Sequence, residues 1–260
     1  MKRYLVLCLS IILFSCSSDN DEPIKSDNDE PIKEVTVKVN FSQNWDGTTI
    51  EKSDLSTTEF TNKLGTKLTI DRLRYLISKI TLTNGNEKAT IFDGYQLVDL
   101  SDNNSLIHNL PEKIKEGSYN LTVTFGFNEN DNIDGNYQDL NTASWNVPIM
   151  LGGGYHFMQL DGKYKNSTGV QKAYNYHVIR AYNTATKKAE DTSFSINLGS
   201  ITIKNNATIE IKMNIAEWFK DPYNWDLNDK NINLMMNYDA QKLMNENGKT
   251  GVFSLGTISQ

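Results

Sequence analysis

Residues 119–127 read Tyr-Asn-Leu-Thr-Val-Thr-Phe-Gly-Phe, and this stretch indicates the fold class. Apolar and polar residues alternate with a period of two, the pattern of a strand that buries one face. Residues 34–41, Glu-Val-Thr-Val-Lys-Val-Asn-Phe, show the same alternation. Further strands are predicted at 67–70, 73–82, 95–100, 154–160, 174–182, 192–198 and 207–213. Short strands at this spacing predict an all-β fold, an antiparallel β-sandwich or barrel.

Turn and helix signals lie between and after these strands. Turns are predicted at Asn84-Gly85, Asp93-Gly94, Glu116-Gly117, Asp134-Gly135, Asp161-Gly162 and Asn205-Asn206. Short helical segments are predicted near the C-terminus, over 214–219 with a stop at Pro222 and over 239–245 with Gly248 as the terminator. Residues 130–135 begin like a calcium loop, but Asn141 stands where the closing Glu is required, so a surface loop is predicted.

The first 34 residues predict export and anchoring. Residues 1–15 combine a basic start with an apolar segment too short to span a bilayer, and Cys16 follows, as in a lipoprotein signal peptide. We expect Cys16 to be lipidated and to anchor the chain to a membrane. Residues 16–34 carry an acidic octapeptide twice, at 18–25 and 26–33, which predicts a linker. The domain is predicted over 35–260, as an outer membrane lipoprotein facing the periplasm or the cell surface.

Composition excludes several classes of function. The chain has 260 residues and a formal charge of −6, so it lacks the excess of cations that nucleic-acid binding requires. Its two cysteines fall at 8 and 16, so the mature domain has no thiolate ligand or disulfide. No arrangement typical of nucleophilic catalysis appears around its three histidines. We therefore expect a binding protein rather than an enzyme.

The richest stretch for chemistry is 145–162, which contains Trp145, His156 and Met158. Imidazole and thioether are ligands that suit copper when thiolate is absent. On a regular strand, His156 and Met158 would share a face. If 155–164 and 169–179 form a hairpin, His156 and His177 lie opposite each other when paired residue numbers sum to 333, and an even sum places them on opposite faces. Two histidines that are merely hydrogen-bonded in a strand-rich core are the alternative.

The order of motifs resembles the MbnP-like family of copper-binding proteins associated with methanobactin systems, in its Bacteroidetes lipoprotein branch. The matching segments are Phe41 to Gly47, Leu68 to Ile80, Tyr95 to Ser101, Gly117 to Phe127, Gly154 to Gly162 and Tyr176-His177. The resemblance implies an exported all-β domain that binds one copper ion through two histidines and an oxidised Trp, made by a partner di-haem peroxidase. Carried over, the metal residues are His156, His177 and Trp145, with Met158 added from the strand pattern.

Three hypotheses for function follow. The first is a lipid-anchored copper-binding protein that captures copper or hands it to an outer-membrane transporter. The second is a metal-free structural or interaction lipoprotein of the cell surface, because Gln43 or Asn44 stands where the family's opening motif often has His. The third is an enzyme acting on surface glycans, for which the sequence offers only its tyrosines and tryptophans.

Overall fold

Strands dominate the computed structural model, which describes residues 33–85 and 88–260. The predicted signal peptide, Cys16 and almost all of the predicted linker lie outside the described residues. The strands of the described part are β1 Glu34–Val35, β2 Val37–Trp45, β3 Thr48–Ile50, β4 Glu59–Thr61, β5 Lys67–Thr83, β6 Thr90–Asp99, β7 Ile107–Asn109, β8 Ile114–Lys115, β9 Gly117–Phe125, β10 Met158–Lys165, β11 Gln171–Val178, β12 Ala181–Asn183, β13 Lys188–Glu190, β14 Phe194–Ile203, β15 Ala207–Asn214 and β16 Phe253–Ser259.

Two sheets share one core. The first has the order β11-β10-β5-β9-β14, with β4 and β6 also paired to β5. The second has the order β16-β15-β2-β3, with β7 also paired to β2. Aromatic side chains meet between the sheets: the rings of Phe41 and Tyr75 are 6.3 Å apart, and those of Phe125 and Phe253 are 5.7 Å apart. The all-β prediction is confirmed, although β2 and β15 pair in parallel.

Alternation along β2 explains why it forms the centre of the second sheet. Its residues at 37, 39, 41, 43 and 45 are buried, while those between them are partly or fully exposed. Burial of one apolar face per strand is the main stabilising contribution of such a sandwich.

The helices of the described residues are short and lie in the segments that connect the strands. The α-helices are α1 Gln138–Thr142 and α2 Tyr238–Lys249, and 3-10 turns cover Lys52–Asp54, Asn103–Leu106, Ile149–Leu151, Ile215–Phe219 and Leu234–Met236. The predicted segment at 214–219 is the turn Ile215–Phe219, capped by the Asn214 side chain. The predicted stop at Gly248 is wrong, because α2 continues to Lys249. Gly248 instead allows close packing, since a Cβ there would lie 2.6 Å from the ring of Trp218. No helix of the described residues is both long and apolar enough to cross a bilayer.

The predicted turns at Asp93-Gly94 and Asp161-Gly162 are also wrong, because the first pair lies inside β6 and the second inside β10. The reason at Gly162 is close packing. A Cβ on Gly162 would lie 1.9 Å from the Thr69 carbonyl oxygen on β5 and 2.8 Å from the Tyr174 ring on β11. Glycine is required here because two neighbouring strands approach its backbone closely. The pairing of β10 with β5 shifts at the same point, between Asp161 and Gly162.

Candidate metal site

The candidate site lies on the outer face of the first sheet. Across the strands β5, β10 and β11, two rows of polar side chains lie side by side: Arg74, Gln159 and His177 in one row, and Arg72, Asp161 and Asn175 in the next. The alternating residues of β10 and β11 point into the core and are fully buried, among them Met158, Leu160, Tyr176 and Val178. The sheet therefore separates the polar rows from the apolar core.

The predicted register of the β10–β11 hairpin is wrong. His177 pairs with Gln159, not with His156, so the paired numbers sum to 336. The loop is Asn166–Val170, longer than predicted, because Asn166 closes it: its side chain accepts from the Val170 backbone N–H at 2.8 Å and its carbonyl from Gly169 N–H, also at 2.8 Å. Side-chain hydrogen bonds of this kind are invisible to an alternation count.

His156 and His177 nevertheless meet, because His156 precedes β10 and does not follow its alternation. Residues 145–147 pair with 154–156 through an isolated bridge between Asn146 and Tyr155, and His156 N–H donates to the Trp145 carbonyl at 3.0 Å. The two imidazole rings lie 5.4 Å apart at 84°. The two histidines therefore lie on the same face even though the paired residue numbers of the hairpin give an even sum.

The polar loop at 130–135 holds the segment before His156 through hydrogen bonds. The Asn132 side-chain oxygen accepts from Tyr155 N–H at 2.8 Å, and Asp134 accepts from Gly154 N–H at 3.2 Å. Asp131 forms an ion pair with Lys79 at 2.7 Å. The oxygens of Asn132 and Asp134 therefore hold the chain before His156, and that of Asp131 binds β5.

Trp145 forms one wall of the site. It is fully buried, its ring lies 5.6 Å from that of His156, and the Arg74 guanidinium carbon lies 5.0 Å above the indole. Arg74 is held by Gln159 at 2.5 Å and by the Ala143 carbonyl at 3.2 Å. The indole Nε1 has no hydrogen-bond partner among the described residues. The structure thus brings three of the predicted residues together: His156, His177 and Trp145.

The protonation of His156 follows from its contacts. Burial lowers the pKa of His156 to about 4, although its hydrogen bond to the Trp145 carbonyl opposes this, so the ring is neutral at pH 7. Nδ1 lies 2.9 Å from that carbonyl oxygen, which can only accept, so the single ring proton resides on Nδ1. Nε2 therefore carries a lone pair. It lies 3.2 Å from the Met235 sulfur, which also has no proton to donate.

Met158, predicted as the thioether of the site, lies on the other face of the sheet. It pairs with Val178, is fully buried and belongs to the apolar core. The physical reason is the bend before β10, which breaks the alternation between His156 and Met158. The thioether beside His156 is that of Met235, in the 3-10 turn Leu234–Met236. The only sequence signal for it is a Met pair in an Asn-rich polar segment.

His177 is held by a carboxylate. Its Nε2 lies 2.8 Å from Asp161 Oδ1, which also accepts from Asn175 at 2.6 Å, while Asp161 Oδ2 accepts from Arg72 Nε at 2.6 Å. Burial alone would raise the pKa of Asp161, but the hydrogen bonds from His177 and Asn175 and the positive charge of Arg72 lower it to about 2. Asp161 is therefore ionised at neutral pH.

This donor set suits a soft ion. The described residues contain no group of three or more His, Cys, Asp or Glu side chains arranged to hold a metal. Calcium and magnesium prefer oxygen ligands, whereas thioether and imidazole favour Cu(I). At the bond lengths of tetrahedral zinc sites, a nitrogen and a sulfur ligand lie about 3.5 Å apart. The Nε2–Sδ separation is close to that distance, so a small movement of Met235 would admit an ion.

Comparisons with known proteins agree with the sequence resemblance. The MbnP family model matches residues 34–237. A solved structure, MbnP from Methylosinus trichosporium, is similar over 72% of this chain and 78% of that chain, with a TM-score of 0.46 and 12% identity. No curated protein matches. Because the family model covers most of the chain, this protein belongs to the MbnP family.

Proposed function

We propose that this protein is a lipid-anchored extracytoplasmic binding protein that holds one Cu(I) ion at His156, Met235 and His177, beside Trp145. The observation that carries the proposal is the contact between His156 Nε2 and the Met235 sulfur. Two lone pairs face each other at 3.2 Å with no proton between them, in a site where His156 is only 5% exposed. A soft cation is the species that turns such a contact into two bonds.

The surroundings support binding rather than turnover. The Trp145 carbonyl accepts from His156 and Asp161 accepts from His177, and hydrogen bonds of this kind fix the orientation of imidazoles that bind metals. Met235 is partly exposed, so it is the ligand through which copper would enter and leave. We infer capture and hand-over as the role, with an outer-membrane transporter as the receiving partner.

Trp145 is the residue that a partner di-haem peroxidase would oxidise. It is fully buried, so the oxidant would act without touching the indole. Its unpartnered Nε1 and its ring contact with His156 support a role for an oxidised Trp145 next to the proposed ion. Cys16 is the proposed anchor, and the proposed location is the outer membrane.

Copper content of the purified mature protein tests the function. After incubation with Cu(I) and desalting, mass spectrometry should find about one copper per chain, and His156→Ala should abolish it. Met235→Leu should weaken Cu(I) binding in a competition titration by about tenfold or more, since it removes a ligand at nearly constant volume.

Met158→Leu is the matched control, because it replaces a buried thioether on the opposite face of the same strand. It should leave copper binding unchanged. Loss of copper in Met158→Leu with retention in Met235→Leu would reverse the assignment. No copper in folded wild-type protein would reject the proposal and favour the metal-free interaction lipoprotein.

A further inference from the structure

Asp161 is a buried carboxylate that the copper proposal does not use as a ligand. Its side chain is 13% exposed and accepts hydrogen bonds from three different side chains, on β5 and β11. Arg72 bridges to Oδ2 from one side, and Asn175 and His177 share Oδ1 on the other. A buried carboxylate destabilises the fold unless its oxygens accept hydrogen bonds, and here both oxygens do so.

We propose that Asp161 is a positioning residue that fixes the proton of His177 on Nε2 and leaves Nδ1 as the only nitrogen of that ring able to bind an ion. An ionised carboxylate can only accept, so the nitrogen 2.8 Å from it must donate. Arg72 and Asn175 hold the carboxylate in place, because each donates to it at 2.6 Å.

The two histidines then present different nitrogens. The Trp145 carbonyl accepts a hydrogen bond from Nδ1–H of His156, which leaves the lone pair on Nε2, while Asp161 accepts one from Nε2–H of His177, which leaves the lone pair on Nδ1. The Trp145 carbonyl and the Asp161 carboxylate therefore give the two rings opposite tautomers in the metal-free protein. The tautomers follow from geometry alone, while the role of Nδ1 as a ligand atom rests on the proposed function.

Nitrogen-15 NMR of the metal-free protein tests the tautomers directly. The chain has three histidines, so long-range proton–nitrogen spectra can be assigned with single substitutions. His177 should show a proton on Nε2 and none on Nδ1, and His156 should show a proton on Nδ1 and none on Nε2. Asp161→Asn should remove the single tautomer of His177, because an amide can donate to Nε2 as well as accept. Asp161→Glu, which keeps the carboxylate, should retain it.

Asp71→Asn is the matched control, since Asp71 lies on β5 and its carboxylate contacts Lys163 at 3.8 Å. It should leave the His177 signals unchanged. In the metal arm, Asp161→Asn should weaken Cu(I) binding by about 10- to 100-fold and Asp71→Asn should not.

The NMR measurement and the copper measurement distinguish the positioning role of Asp161 from the proposed copper site. Wild-type protein that shows the expected tautomers but binds no copper would reject the copper site and keep Asp161 as the positioning residue. A protonated Nδ1 on His177 in wild-type protein would overturn the inference, and this measurement does not depend on the variants folding. An unchanged tautomer in folded Asp161→Asn would overturn it too.

Discussion

Replacing Gly162 with Ala tests whether β10 is held between its neighbours as tightly as the distances imply. The added methyl would lie 1.9 Å from the Thr69 carbonyl oxygen and 2.8 Å from the Tyr174 ring and hydroxyl. Tyr174 is fully buried, and its hydroxyl donates to the same Thr69 oxygen at 3.0 Å. The methyl cannot be accommodated without moving either a strand backbone or this hydrogen bond.

The cost has two parts. Overpacking a well-packed site costs about 1–3 kcal/mol, and leaving the buried Tyr174 hydroxyl unpaired costs about 1–3 kcal/mol more. A total of about 4 kcal/mol would lower the melting temperature of a domain of this size by about 8–16 °C. Urea and thermal unfolding followed by circular dichroism measure both quantities.

Gly117→Ala is the matched control for this experiment. Gly117 also lies in a strand, with ordinary backbone angles, and a Cβ there would come no closer than 3.5 Å to Tyr119. Its cost should stay near or below about 1 kcal/mol. Equal stability of the two variants would refute the reasoning that Gly162 is required by close approach of β5 and β11.

Two further predictions concern charge. The folded-state pKa of Asp161, about 2, lies below its ordinary value of 3.8, so the carboxylate stabilises the fold above about pH 4 and this stabilisation is lost as the pH falls through 2. The difference between the two pKa values corresponds to about 2 kcal/mol of folding free energy. Urea unfolding from pH 7 to pH 2 should therefore show a steeper loss of stability for wild type than for Asp161→Asn. Equal pH dependence of the two proteins would contradict this prediction. Asp131→Asn should lower the free energy of unfolding by less than about 1 kcal/mol, because its ion pair with Lys79 is about one-third exposed on each side. Calcium should leave the melting temperature unchanged. A rise of the melting temperature with calcium would contradict the interpretation of 130–135 as a surface loop.

The fold could be predicted because its signal is local. Each strand of the sandwich carries its own alternation, and β2 shows it along its full length. The errors arose where a distant contact decides the outcome. Asp161-Gly162 has the composition of a turn, yet Thr69 and Tyr174 place it inside a strand. Gly248 has the composition of a helix stop, yet Trp218 explains why it is glycine.

The candidate site was predicted in part. His156 and His177 could be chosen because imidazole suits copper and both lie in neighbouring segments predicted to form a hairpin, whereas Trp145 followed from the family resemblance. Met158 followed from an alternation that fails where the chain bends before β10. Met235 lies 79 residues from His156 and reaches it through a turn that no periodic pattern specifies.

Placement of the polar rows on the outer face of the sheet separates them from the side chains between the two sheets. Gln43, which stands near the position of a histidine in the family's opening motif, is 2% exposed and donates to the Tyr75 hydroxyl at 2.9 Å. It lies in the core between the sheets, where a polar pair satisfies itself, and not beside His156. The sandwich is the part shared with the family, while the proposed copper binding depends on His156, His177, Met235 and the groups that orient them.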